Sequence, residues 1–140
     1  MKIRHIVTLI AGASLAALLT GAAAQAQSAG TVTPAFNHAI SNIPGKSIVA
    51  VIVDYPPGGT TPAHRHAKSA FITGYVLSGA IRSQVDDGPV QVFKAGENFT
   101  EKPGAHHRVS DNASTTEPAK LLAIFVVDSS EKELTTLDGK

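Results

Sequence analysis

A series of short β-prone runs, each closed by a turn signal, most constrains the fold of this chain. Residues 47–54 (SIVAVIVD) are rich in β-branched side chains and end at the Pro-Pro-Gly-Gly turn of residues 56–59. Further runs of this kind lie at residues 70–77, 80–85, 90–93, 99–101, 107–109 and 121–127. No stretch after residue 27 shows a 3.6-residue apolar period over three turns. The pattern therefore predicts an all-β sandwich or barrel.

The N-terminal segment has the three parts of a secretory signal peptide. Lys2 and Arg4 precede an uncharged apolar run at residues 6–20, and Ala24-Gln25-Ala26 fits the A-x-A pattern read by signal peptidases. A bilayer-spanning helix needs about 20 apolar residues. Because the run is shorter than that, we expect no stable membrane anchor. The sequence predicts cleavage of residues 1–26 and a periplasmic or secreted protein.

Composition excludes several functional classes. The 140-residue chain has no cysteine, which rules out disulfides, thiolate metal sites and cysteine nucleophiles. Lys and Arg number 12 against 11 Asp and Glu, so nucleic acid is not an expected partner. The length predicts one domain. We expect residues 27–46 to form an N-terminal arm or edge strand, 47–128 the barrel and 129–140 a C-terminal tail.

Four histidines fall in two short clusters. His64 and His66 flank Arg65, and His106 and His107 are adjacent. Residues i and i+2 of a strand project from one face, so His64 and His66 can point together into a barrel, whereas only one of His106 and His107 can. An isolated His-x-His pair would be ascribed to a solvated loop. Two clusters, each following a Pro/Gly turn, favour a nitrogen site for a divalent metal.

The segments that carry these histidines resemble the two paired motifs of the cupins, which are small double-stranded β-helix, jelly-roll-like barrels. The first motif runs Gly, five residues, His-x-His, three or four residues, Glu, six residues, Gly. The second runs Gly, five residues, Pro-x-Gly, two residues, His, three residues, Asn. The matching positions here are Gly58, His64, His66, Gly79, Gly96, Gly104 and His107. The resemblance spans residues 47–127 and implies the cupin fold.

The chain departs from the cupin motifs at three places. Most important, the motif glutamate is missing: counting from His66 gives Ala70 or Phe71, and counting back from Gly79 gives Ile72. The motif metal set of three His and one Glu is thereby reduced to its histidines. The other departures are Pro103, one place late with Lys102 where Pro is usual, and Asp111 at the Asn position, with Asn112 next to it.

Glu101 is the candidate for the missing carboxylate. It stands six residues before His107, an even number, so it nominally shares the face of that histidine. Three roles remain open: a replacement metal ligand, a partner that holds a histidine tautomer, or a surface carboxylate on an edge strand. His106 is expected to face outward or to lie at the barrel mouth, with replacement of His107 as the ligand as the alternative.

The resemblance implies a divalent metal bound by His64, His66 and His107, with Fe, Mn, Zn, Ni and Cu not distinguished. Some cupins with three-histidine sites use Fe(II) and O₂. The first hypothesis is therefore a metal-dependent oxygenase, isomerase or lyase acting on a small molecule. The second is a non-catalytic module that binds a small ligand or metal, and the third is an interaction domain with vestigial motifs. Cupins commonly pair through edge strands, so the 27–46 arm predicts a homodimer.

Overall fold

Eleven β-strands and no helix make up residues 28–139, the part of the chain that the computed structural model describes. The predicted signal peptide, residues 1–26, lies outside this part. The strands are β1 (Thr31–Ala39), β2 (Lys46–Tyr55), β3 (Thr60–Thr61), β4 (His64–His66), β5 (Phe71–Ser78), β6 (Ala80–Val85), β7 (Gln91–Lys94), β8 (Asn98–Glu101), β9 (His106–Asn112), β10 (Ala119–Asp128) and β11 (Thr135–Leu137). The predicted all-β fold class is confirmed. Within the described residues there is also no helix long and apolar enough to cross a membrane.

The strands form two antiparallel sheets that face each other as a jelly-roll-like barrel. The first sheet has the order β1-β2-β10-β5-β8, and the second has the order β11-β4-β9-β6-β7, with β3 also paired to β9. Strands distant in sequence thus lie side by side: Leu121 of β10 pairs with Val53 of β2 and with Val76 of β5. This interleaving brings both histidine segments to one sheet and Glu101 to the other.

Alternation along β2 and β10 separates an inner face from an outer face. On β2, Val53 and Tyr55 point into the barrel and are buried, and on β10 Leu121, Phe125 and Val127 do the same. These side chains pack in two apolar clusters, one around Val53 and Leu121 and one around Phe125 and Val127. The period of two is the expected consequence of strand geometry, and it aims β-branched side chains at the barrel interior.

The segment before β2 forms the edge of the first sheet. β1 pairs along its length with β2, from Thr31 opposite Asp54 to Ala39 opposite Ser47, with an irregularity between Pro34 and Phe36. All nine residues of β1 are exposed. Its outer edge has no neighbouring strand among the described residues, which is the condition under which a sheet can pair with another chain.

Candidate metal centre

Strand β4 places His64 and His66 on the inner face of the barrel. Both side chains are buried, while Arg65 between them is exposed. β9 pairs with β4 so that His107 lies opposite His64 and His106 lies opposite Arg65. His107 therefore shares the inner face, as the sequence predicts. His106 points away from this face, and its Nε2 lies 2.7 Å from Oδ2 of Asp138.

The three inward imidazoles form a compact group. One ring nitrogen from each of His64, His66 and His107 lies within 4.8 Å of the others. The ring centroids of His64 and His66 are 4.8 Å apart, and His107 is 5.3 Å from His64 and 6.0 Å from His66. This spacing allows three nitrogens to reach one ion, so the group could hold a metal.

Glu101 brings a carboxylate to the same group from the opposite sheet. Its Oε2 lies 3.0 Å from Nε2 of His66, and its Oε1 lies 3.3 Å from Nδ1 of His107. The side chain is only 3% exposed. β8 pairs with β5 in a register that sets Glu101 opposite Ile72, one of the positions at which the cupin motif glutamate would fall. The carboxylate is therefore supplied by β8, the strand next to β5, which carries the motif position.

Hydrogen bonds orient two of the imidazoles. Nδ1–H of His64 donates to the carbonyl oxygen of Pro62 at 2.8 Å. A carbonyl can only accept, so the neutral ring carries its proton on Nδ1, and the lone pair of Nε2 is free. Nε2 of His107 lies 2.9 Å from the hydroxyl oxygen of Ser83, which fixes the plane of that ring. Burial lowers the pKa of His64 despite the Pro62 carbonyl, which favours the neutral, metal-binding form.

The contact between His66 and Glu101 indicates that these residues are suited to bind a metal ion. Nε2 of His66 and Oε2 of Glu101 are buried and 3.0 Å apart, yet their orientation makes no hydrogen bond, and neither atom has another partner among the described residues. Buried polar atoms without partners cost free energy, and such exceptions mark functional sites or ions. Two atoms that converge without a hydrogen bond between them could both bind one cation.

The electrostatics of Glu101 agree with this fit. Burial acts to raise its pKa, but the contacts with His107 and His66 outweigh burial and lower the pKa from 4.5 to about 2. The carboxylate is therefore ionised at neutral pH. Imidazole nitrogens together with one carboxylate suit divalent iron, manganese, zinc, nickel or copper.

A cavity of about 350 Å³ opens beside the four residues. Its walls are mostly apolar, and they come from both sheets and from the segment before β11. The principal apolar lining residues are Val51, Val53, Ile72, Leu121, Phe125 and Leu134. Tyr55, Thr61, Ser110 and Thr135 add hydroxyl groups. The cavity can hold a small molecule with an apolar body next to the candidate metal centre.

The motif comparison did not point to Ser83, which contacts the centre, and it left the roles of Asn112 and Asp111 open. Ser83 is buried and contacts His107; the signal was its parity with Ile81 on β6, which places it on the inner face. Asn112 has a structural role: its amide nitrogen donates to the carbonyl oxygens of Pro56 and Glu117. Asp111, at the motif Asn position, instead accepts two bonds from the Arg82 guanidinium.

Comparison with known proteins shows the family to which this chain belongs. Residues 51–125 match the Cupin domain family. The cupin-domain-containing oxidoreductase fogC of Aspergillus ruber is 24% identical over 78 residues, which are 56% of this chain and 37% of fogC. This chain thus spans little more than a third of the length of that curated relative.

Solved structures show the same fold. A conserved protein with a double-stranded β-helix domain from Klebsiella pneumoniae superposes with a TM-score of 0.62 at 21% identity, covering 80% of this chain and 86% of that one. Oxalate oxidase in complex with glycolate superposes with a TM-score of 0.58 at 23% identity, covering 81% and 57%. The family match extends from β2 to β10 and includes both histidine segments and Glu101. The chain belongs to the cupin domain family.

Proposed function

We propose that this protein is a metal-dependent cupin enzyme in which His64, His66, His107 and Glu101 hold one divalent ion beside a cavity for a small molecule. The observation that carries the proposal is the convergence of His66 Nε2 and Glu101 Oε2, which are buried 3.0 Å apart without a hydrogen bond. The two atoms attract each other in the metal-free protein, but they are not aligned as donor and acceptor, so both could bind a cation.

The charge of the site suggests the kind of ligand. Three neutral imidazoles and one carboxylate leave a divalent ion with a net positive charge, and such an ion supplies Lewis-acid polarisation or, if it is iron, O₂ chemistry. The apolar walls strengthen electrostatic interactions with a bound anion, because they exclude water. We infer a substrate with an anionic oxygen group, such as a carboxylate or enolate, on an apolar body.

The class of reaction is proposed from the relatives. One curated relative is named an oxidoreductase, and one structural neighbour is oxalate oxidase with the substrate analogue glycolate. These names support redox chemistry for this chain. A specific observation favours a second candidate, a non-catalytic binding module: apart from the four centre residues, the polar side chains lining the described cavity are hydroxyls, with no further carboxylate or imidazole. We also propose a periplasmic or secreted location, supported by the N-terminal sequence.

Metal analysis of protein purified after expression of the full chain tests the centre. We expect near-stoichiometric divalent metal in the wild type, and stoichiometric iron would support oxygen chemistry. His107→Ala should lose most of the metal. His106→Ala is the matched control and should keep it, because His106 faces Asp138 on the other side of the strand.

Glu101→Gln then separates the two roles of the carboxylate. Loss of a ligand should resemble His107→Ala, whereas loss of a partner that orients a ligand should weaken metal affinity by about 10- to 100-fold. Circular dichroism checks that each variant folds. Equal metal retention by His107→Ala and wild type, or a wild type that binds no divalent ion, would overturn the proposed function.

A further inference from the structure

Three hydroxyl groups meet on the cavity wall away from the candidate metal centre. The Tyr55 hydroxyl oxygen lies 2.7 Å from Oγ of Ser110 and 2.8 Å from Oγ1 of Thr61. Tyr55 and Ser110 are buried, and all three residues line the cavity. We call them the hydroxyl cluster. Apart from these hydroxyls, Thr135 and the four residues of the candidate metal centre, the side chains that line the cavity are apolar.

The register of the second sheet gives the distance between the hydroxyl cluster and the metal centre. Thr61 pairs with Ser110 across β3 and β9, and His64 pairs with His107 across β4 and β9. Thr61 and Ser110 are therefore each three positions from a histidine of the centre, and Tyr55 reaches them from the first sheet. The register irregularity of β9 opposite Gln84 and Val85 of β6 brings Ser110 to the same face as His107, so at about 3.3 Å per residue the two groups lie at most roughly 10 Å apart along the strand direction.

A proton count shows that the hydroxyl cluster has a hydrogen-bond donor to spare. Three hydroxyls carry three protons, and the two contacts through Tyr55 use two of them. The hydroxyls of Thr61 and Ser110 have no partner other than Tyr55 among the described residues. Burial, the largest influence, raises the pKa of Tyr55, so its hydroxyl keeps its proton. Whichever way the hydroxyls rotate, one proton is left without an acceptor inside the cluster, and all three residues line the cavity.

We propose that the hydroxyl cluster is a second anchor for the ligand and donates one hydrogen bond to a neutral oxygen acceptor at the end of the ligand far from the metal. The inference rests on the proposed function, because the metal centre must bind the near end. No Lys or Arg lies among the described residues that line the cavity, so a second carboxylate would be buried without a cation. A ketone, ether or hydroxyl oxygen fits instead.

Matched pairs of small acids test the second anchor. The Co²⁺-loaded full protein is titrated calorimetrically with pentanoate, hexanoate and heptanoate, and with 4-oxopentanoate, 5-oxohexanoate and 6-oxoheptanoate. Each pair differs only by the distal carbonyl. We expect one oxo acid, the one whose carbonyl reaches the hydroxyl cluster, to bind about 2- to 10-fold more tightly than its parent, as one net hydrogen bond allows.

Variants then assign that gain to the hydroxyl cluster. In the triple variant Tyr55→Phe, Thr61→Val, Ser110→Ala the gain should vanish while the parent acid binds as before. Removing all hydroxyl partners together, with little change of shape, should leave the fold intact. Thr135→Val is the matched control: Thr135 also lines the cavity but lies outside the hydroxyl cluster, so the gain should persist.

Two results overturn the second anchor: no oxo acid exceeds its parent in wild-type protein that binds the parents, or the folded triple variant keeps the gain. A Co²⁺-loaded protein that binds none of the parent acids is a different failure. It contradicts the proposed binding of an anionic ligand at the metal centre, and the second anchor is then refuted as well.

Discussion

Replacing Glu101 by Gln should remove a pH-dependent part of the stability of the metal-free protein. Glu101 is 3% exposed, and its two oxygens lie 3.0 Å from a nitrogen of His66 and 3.3 Å from a nitrogen of His107. Burial raises the pKa of such a carboxyl, but here the two imidazoles outweigh burial and lower the pKa from 4.5 to about 2. Gln has nearly the same shape and cannot ionise, so the comparison isolates the charge.

The sign and the size follow from proton linkage. In the unfolded chain Glu101 takes up a proton as the pH falls through about 4.5, whereas in the folded protein it stays ionised until the pH reaches about 2. Its contribution to the free energy of unfolding is therefore present above the unfolded pKa and is lost as the pH falls through this window. The full contribution is about 3 kcal/mol, and about 2 kcal/mol of it should be gone by pH 3.

Urea unfolding in the presence of a chelator, followed by far-UV circular dichroism, measures this loss. The free energy of unfolding of wild type minus that of Glu101→Gln should shrink by about 2 kcal/mol between pH 5 and pH 3. Glu133→Gln, which alters an exposed carboxylate, should instead run parallel to wild type. Parallel curves for wild type and Glu101→Gln would refute the ion-paired carboxylate in the metal-free site.

Three further outcomes are expected. Gly74→Ala should lower the free energy of unfolding, measured by urea titration, by about 1–3 kcal/mol. The new Cβ would lie 2.5 Å from the Phe99 ring, which packs against His107. The control Thr73→Ala, on the outer face, should lower it less. Full-length protein made in a Gram-negative host should lose residues 1–26, and an intact mass that retains Met1 in the soluble periplasmic fraction would contradict the signal peptide. Sedimentation at micromolar concentration should show a homodimer that forms through the outer face of the first sheet. Two cross-strand rows of this face are apolar: one is Ile52, Leu122 and Tyr75, and the other is Ile48, Val126 and Phe71. The outer face of a sheet exposed to solvent would be polar. Phe71 is 44% exposed, so Phe71→Lys should give the monomer mass without unfolding the core, and a monomeric wild type would count against this interface.

The strands were predictable because their signals are local. Alternation and turn residues lie within a few positions of each other, so residues 47–54 predicted β2 (Lys46–Tyr55) and residues 121–127 predicted most of β10 (Ala119–Asp128). The two histidines of β4 also follow from local parity. The choice of His107 over His106 as the inward histidine needed only the period of two, together with the motif resemblance.

The position of Glu101 relative to the histidines was only half predictable. Parity along the chain places it on the face of His107, but nothing local says that β8 pairs with β5 and sets Glu101 opposite Ile72. Ser83 and Ser110 could not be placed from the sequence either, because their partners His107 and Tyr55 are 24 and 55 residues away in sequence. Such contacts depend on sheet order, which a single sequence does not contain.

Supplying the carboxylate from β8 instead of β5 changes the cavity as well as the centre. Ile72, at the motif position on β5, packs in the apolar cluster with Ala70, Phe125 and Val127, and the Phe125 ring lies edge-on to His66 with centroids 5.7 Å apart. The wall beside the imidazoles is therefore apolar where the motif would place a charge. An apolar wall keeps water from the centre and strengthens its electrostatic interactions. The arrangement that retains a carboxylate at the imidazoles thus also prepares the cavity for a ligand whose body is apolar and whose metal-binding end is charged.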